Sequence, residues 1–293
     1  MKVLVTGGTG FIGTALVKHL VKNGHDVSCL VRSNKPVHPD VKIIKGDLTE
    51  PLSVPDAFDV VYHLAAAWVG EKDKKIQRKV NYDGTVNLFN AVKDKAKSIV
   101  YVSGLGVFGD PKGETINENS KLQPNTDYAR TRLEAQNFLD SKCKENGILF
   151  SAAYLGDVYG NGGWFTNMML ERLRKGAFRI PGSGKYYRSF IHVDDVSSAL
   201  ISIAENAKNQ SYVITDSNPV TFLEFTNYVC KKIGVKEPGT IPVILAKAIL
   251  GSDFANLLTT SIKTSNSKIL QMCNLRYTSY QQGIDAVFSE LTV

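Results

Sequence analysis

Apolar positions in the first half of the chain follow two alternating patterns. Short runs at Val3–Thr6, Val27–Val31, Val41–Ile44, Val60–Leu64, Ile99–Ser103 and Ile148–Ala153 lack a regular polar alternation. Such runs read as strands covered on both faces. Between them, apolar residues recur every three or four positions over Phe11–Lys22, Ile76–Lys95 and Tyr128–Asn146. That period puts them on one helical stripe. The alternation predicts a parallel sheet flanked by helices, with right-handed crossovers.

Beyond about Gly156 the pattern loosens. Gly160–Gly163 and Pro181–Gly184 are loop-forming clusters. Phe165–Lys175, Phe222–Ile233 and Pro242–Leu250 read as helices, with short strands such as Ser211–Thr215 among them. The expected fold class is α/β. A doubly wound parallel sheet spans residues 1–155, and a smaller, interleaved substrate-binding lobe spans 156–293. A ligand cleft is expected at the carboxyl ends of the strands.

Composition narrows the partners. The 293 residues are 43% apolar and carry a formal charge of +7. The densest basic run, Glu71–Lys79, also holds acids and reads as a solvated helix face. No basic stripe is interleaved with aromatics, so nucleic acid is not an expected partner. Cys29, Cys143, Cys230 and Cys273 have no metal-ligand spacing. They read as free thiols of a reducing, cytoplasmic compartment. The chain opens on a core strand, so no secretory signal is expected. The apolar run Ile241–Leu250 is broken by Pro242 and Lys247 and is too short to span a bilayer. It reads as a core or surface-packed helix, and no membrane partner is expected.

The chemistry begins at Thr6-Gly-Gly-Thr-Gly-Phe-Ile-Gly13. Gly7 allows a tight turn, Gly10 a close approach to a pyrophosphate, and Gly13 a close helix–strand contact. The first-turn amides around Phe11 and Ile12 then face the phosphates. This is the turn of a Rossmann dinucleotide-binding sheet. At the end of the second strand, Leu30-Val-Arg-Ser-Asn-Lys35 offers no acid for ribose hydroxyls. Arg32 can pair with a 2′-phosphate, with Lys35 assisting, which favours NADP over NAD. Asp47, followed by Leu48, can accept from an adenine amine or cap a turn. After His63, read as structural, Leu64, Ala65 and Ala66 let a flat ligand cross the backbone.

These pieces, with Asn81-Tyr-Asp-Gly-Thr85, Tyr101–Gly109, Tyr128–Arg132, Asp157-Val-Tyr-Gly160 and Arg188-Ser-Phe-Ile-His-Val-Asp-Asp195, occur in one order along nearly the whole chain. In this the chain resembles the extended short-chain dehydrogenases/reductases of the epimerase/dehydratase type. The resemblance implies an NAD(P)-dependent enzyme with Asn81 among the cofactor-site residues. It also implies a tyrosine acid/base with a lysine four residues on, and a hydroxyl at the end of the fifth strand. Tyr128 matches the tyrosine. Arg132 stands where the lysine would, a permanent cation with a bulkier fork. Gly104 stands where the hydroxyl residue would, and losing one such donor costs roughly 10²–10³ in rate. Ser103 should point to the opposite face, so Thr126 is the expected stand-in.

In the sugar-nucleotide branch of that family, the arginine matching Arg188 grips a diphosphate. The alternative for Arg188 is an ion pair with Asp194 or Asp195. Asn167 is a second substrate candidate, and Trp164, Tyr186 and Tyr187 are possible pocket aromatics. The leading expectation is an epimerase-type enzyme that transiently oxidises a nucleotide sugar. Its rivals are an NADP-dependent carbonyl reductase on a non-nucleotide substrate and a non-catalytic NADPH-binding sensor or assembly subunit. Relatives often pair through the two long helices, so a homodimer is expected.

Overall fold

The computed structural model describes residues 1–33, 35 and 37–291. Seven parallel strands form the central sheet: β1 (Lys2–Thr6), β2 (Asp26–Val31), β3 (Lys42–Lys45), β4 (Phe58–His63), β5 (Ala96–Gly104), β6 (Leu149–Leu155) and β7 (Gln210–Ile214). Their order is β7-β6-β5-β4-β1-β2-β3. The chain leaves β1 to one side and returns to β4 on the other, so the order reverses beside β1. Ligands bind at such a switch point.

Alternation along the strands feeds two cores. Val3 and Val5 pack against Leu16 and Leu20 of α1 (Phe11–Lys22), whereas Leu4 joins Val61, Leu88 and Leu139 on the opposite face. That second face is covered by α3 (Gly84–Val92) and α4 (Asp127–Glu145), with α2 (Lys74–Arg78) packed against α4.

Three expectations shift. The stretch Ile76–Lys95 is not one α-helix: a π-helical turn, Lys79–Asp83, separates α2 from α3. The region 165–175 is divided likewise, with a π segment Phe165–Leu170 before α5 (Glu171–Arg174). π-Turns concentrate at functional sites, and these two carry Asn81 and Asn167. The strand expected at Ser211–Thr215, among the short strands of the second lobe, is β7. It pairs in parallel with β6 in the main sheet, because Tyr212, Val213 and Ile214 are all buried.

α6 (Val193–Glu205) packs beside α1 under the sheet. A third core lies around α7 (Phe222–Ile233), where Phe190 and Phe225 stack at 3.9 Å, and includes Ile284 of α10 (Tyr280–Leu291). Between them run α8 (Val243–Leu250) and α9 (Ser252–Thr259), joined at Gly251. Among the described residues no helix is long and apolar enough to cross a membrane. The four cysteines are buried and free.

Candidate active site

The glycine turn has the shape its spacing predicts. Gly7 has a φ of +73°, and a Cβ there would lie 2.8 Å from the Ala65 amide nitrogen. A Cβ on Gly13 would lie 2.1 Å from the Gly7 carbonyl oxygen. No side chain caps the start of α1. The first-turn amides around Phe11 and Ile12 therefore keep their outward hydrogen-bonding capacity beside the positive end of the helix dipole.

At the adenine end, Arg32 is 74% exposed and lies 3.9 Å from Asp47. Lys35 is exposed, while its neighbours Asn34 and Pro36 lie outside the described residues. Asp47 caps its own turn through the Thr49 amide and hydroxyl, which holds its carboxyl below the usual range. Leu48 is buried, Leu64 and Ala65 are half-buried, and Ala66 is exposed beside the turn. Asn81 is fully buried. It accepts from the Ala67 amide at 2.8 Å and donates to the Thr131 hydroxyl at 3.0 Å, tying the loop after β4 to α4.

Tyr128 and Arg132 lie on one face of α4, four residues apart. Tyr128 is partly exposed, whereas Arg132 is buried with its guanidinium 4.5 Å from the Tyr101 ring centre. Arg132 Nη2 donates to the Val102 carbonyl, and among the described residues the buried Nη1 has no partner. A buried cationic donor without an acceptor is costly. With the glycine turn, it fits a ligand that supplies oxygens, as a nicotinamide ribose does. His63 bridges Thr6 and Thr85 at 2.7 and 2.9 Å, and burial beside Arg132 drops it to about 3. It is a neutral structural residue, as the sequence suggested.

Neither Thr126 nor Ser103, the two hydroxyls nearest in sequence to the roles expected at Gly104, is open to solvent. Thr126 is the N-cap of α4, and its oxygen accepts from the Ala129 amide at 3.2 Å. Only its O–H proton is left to donate. Ser103 shares the strand face of Tyr101, but its Oγ is shut off from solvent without a partner. Gly104 has extended backbone, φ −141°. The nearest atom to a Cβ there is the Leu155 carbonyl oxygen at 3.9 Å.

Arg188 is 9% exposed and fully engaged. Nε and Nη2 hold Asp157 at 2.5 and 2.6 Å, and Nη1 donates to the carbonyls of Leu257 at 2.6 Å and Thr260 at 3.1 Å. Its acidic partner is Asp157, not Asp194 or Asp195. It also caps the carbonyl end of α9, where a cation is favoured. Asn167 is exposed and bonded to the Gly162 carbonyl. Trp164 donates to the Val158 carbonyl, and Tyr186 stacks on Phe222, so both belong to the third core. Tyr187 is exposed beneath Lys263.

Sequence reasoning missed α9 as part of the site. Leu257 lies over Gly106, Phe254 meets Trp68 at 6.2 Å, and Asp253 accepts the amides of Asp127 and Tyr128. A cavity of about 360 Å³ lies beside this contact, walled by Val69, Gln77, Leu250 and Phe254 together with Lys72, Lys74 and Asp127. Only the Gly-Ser-Asp helix start at 251–253 hints at α9 in the sequence.

The model of the NAD dependent epimerase/dehydratase family matches residues 3–215, and the chain belongs to that family. It is similar to the 3 beta-hydroxysteroid dehydrogenase/Delta 5→4-isomerase of Mycobacterium tuberculosis. The two are 28% identical over 263 residues, spanning 81% of this chain and 70% of that protein. The fold matches MoeE5 in complex with UDP-glucose and NAD, with a TM-score of 0.84, 22% identity, and coverage of 100% of this chain and 99% of that one. It also matches the human epimerase family protein SDR39U1 with NADPH, at TM-score 0.81, 21% identity and 99% coverage of both chains.

Proposed function

We propose that this chain is an NADP(H)-dependent oxidoreductase that interconverts an alcohol and a carbonyl on an uncharged substrate held beneath α9. The observation that carries the substrate class is Arg188. The residue that would grip a diphosphate has its donors filled by Asp157 and by the carbonyl end of α9. The cavity beside α4 joins Val69, Leu250 and Phe254 to the charged Lys72, Lys74, Asp127 and Asp253, a lining that suits a ligand with an apolar body and a polar end. The likeness to the hydroxysteroid dehydrogenase points the same way. Arg32, in the acid-free segment 30–35 at the end of β2, supports NADP(H).

A bound nicotinamide supplies or takes the hydride. Tyr128 gives its phenolic proton to the carbonyl oxygen in reduction and takes one from the hydroxyl in oxidation. Arg132 keeps a fixed positive charge on the same helix face, which stabilises the phenolate. Its partnerless Nη1 would hold a ribose hydroxyl. The glycine turn would bind the pyrophosphate, and Asn81 keeps the loop after β4 in place beside it. A homodimer through α3 and α4 belongs to the same proposal.

The test is net NADPH consumption with a panel of ketones, including 3-ketosteroids, alongside calorimetric titration with UDP-glucose. Ketone-dependent consumption that falls roughly 10²–10⁴-fold in Tyr128→Phe is expected, with no heat from UDP-glucose. UDP-glucose binding, with sugar turnover and no net NADPH loss, would overturn the substrate assignment. It would favour the second reading, transient oxidation of a nucleotide sugar. That reading draws support from the family and from the fold shared with the UDP-glucose complex. It requires Arg188 to release α9 when the diphosphate binds.

A further inference from the structure

Among the described residues, the three most exposed large apolar side chains are Ile244 (83%), Trp68 (68%) and Ile249 (60%). Two of them lie on α8, and the third touches Phe254 of α9, the helix packed against α8. Ile244 and Ile249 lie on α8 with Leu245 and Ala248 exposed beside them, while Ala246 is buried on the inner face. A contiguous apolar face of this kind usually has a partner.

Charge selects among partners. Lys247 lies at the edge of the α8 face, and Lys72 reaches Gly251, its Cε 3.7 Å from where a Cβ there would be. Lys185 follows the turn whose Gly182 abuts Val243. Among the described residues none of these three lysines is in an ion pair. The neighbouring acids have partners of their own: Asp253 the α4 amides, Asp127 Lys74 and Arg130, Glu71 the Asp73 amide, and Asp73 the Lys75 amide. The result is an apolar face with a cationic rim.

We propose that this face docks on an anionic lipid surface, with α8 lying in the interface, Trp68 as its aromatic anchor, and Lys72, Lys185 and Lys247 on lipid phosphates. A helix of eight residues cannot cross a bilayer, but it can lie on one. A second copy is the weaker occupant, because a two-fold contact would turn the same lysines toward one another. Docking would place the cavity walled by Leu250 and Phe254 against the lipid, so an apolar substrate could enter without crossing water. The docking itself does not depend on the substrate assignment.

The experiment is co-sedimentation of the full chain with vesicles of phosphatidylcholine, with and without phosphatidylglycerol. Binding is expected only with the anionic lipid, weakening in high salt. The double variant Ile244→Glu/Ile249→Glu should bind about tenfold or more weakly, from loss of the apolar transfer, with its melting temperature unchanged. Trp68 fluorescence should shift to the blue on binding, and Trp68→Phe should abolish that shift, since Trp164 is held inside by the Val158 carbonyl. Failure of the wild type to bind, or equal binding by the double variant, would overturn the proposal. So would a dimer in the absence of lipid that the double variant dissociates.

Discussion

The carboxylate of Asp253 accepts the backbone N–H of Tyr128 at 3.2 Å and that of Asp127 at 2.8 Å. An acid from α9 thus satisfies amides at the start of α4 that have no partner within their own helix, at the end where the dipole favours negative charge. The helix that carries the proposed acid/base, Tyr128, is clamped by the helix proposed to cover the substrate. Asp253→Ala should cost about 1 kcal/mol of stability, as a lost cap does, and lower kcat roughly tenfold while NADP(H) affinity holds. Asp253→Asn, which keeps an acceptor oxygen, should recover most of both losses. Hydrogen exchange at the Tyr128 amide gives a direct readout: no acceleration in Asp253→Ala would mean that the clamp does not hold α4.

Gly104 invites the opposite experiment, a gain. Its φ of −141° suits any residue, and a Cβ would meet only the Leu155 carbonyl oxygen at 3.9 Å. Gly104→Ser should therefore fold normally and restore a donor beside the substrate oxygen. One such donor is worth roughly 10²–10³ in rate where the surrounding site is built for it. A rise in kcat with little change in KM is the expected signature. A fall in kcat at unchanged stability would show that the space above Gly104 belongs to the substrate.

The proposed preference for NADP(H) rests on Arg32. Its side chain is 74% exposed and only loosely paired with Asp47 at 3.9 Å, so it can turn to a 2′-phosphate without breaking a strong contact. A hydrogen bond to a charged group contributes about 1.5–3 kcal/mol. Arg32→Ala should weaken NADPH binding about tenfold to a hundredfold by that measure, leaving NADH nearly untouched. Equal loss for both nucleotides, by fluorescence titration, would remove Arg32 from the discrimination.

Local order was legible and long-range order was not. The interior strands β1, β2, β4, β5 and β6 could be read because a strand buried on both faces is largely apolar, whereas the edge strand β3, with Ile43 exposed, showed only in its Ile43-Ile44 pair. β7 obeys the same rule, but its neighbours in sequence belong to another layer, so its pairing with β6 could not be inferred from position. The glycine turn was readable because Gly7 and Gly13 answer local steric demands. The occupancy of Arg188 was not, since Asp157 lies 31 residues away and the carbonyls of Leu257 and Thr260 lie 69 and 72 away. The same holds for Asp253 on Tyr128, 125 residues apart. Sequence periodicity likewise cannot distinguish a π-turn from an α-turn, so the break between α2 and α3 was hidden.

Asp216 makes stability depend on pH in a direction opposite to that of an ordinary carboxylate. It is 2% exposed, its Oδ1 accepts from the Asn218 amide at 3.2 Å, and its Oδ2 has no partner. Burial, reinforced by the nearby Asp195 charge, raises it from 3.8 to about 7. Between those values the folded chain holds a proton that the unfolded chain has released, so stability falls as pH rises and levels off above about 7. His63 and His192 act the other way. Burial lowers them to about 3 and about 4, so the unfolded chain gains their protons first and stability falls as pH drops below 6.5. The single-residue contribution is isolated by comparing wild type with Asp216→Asn in urea melts across the acid-to-neutral range. The variant should gain on the wild type by about 1.4 kcal/mol per pH unit at most as pH rises, and the gap should stop widening above neutrality. Parallel curves for the two proteins would show that Asp216 is ionised in the folded chain throughout.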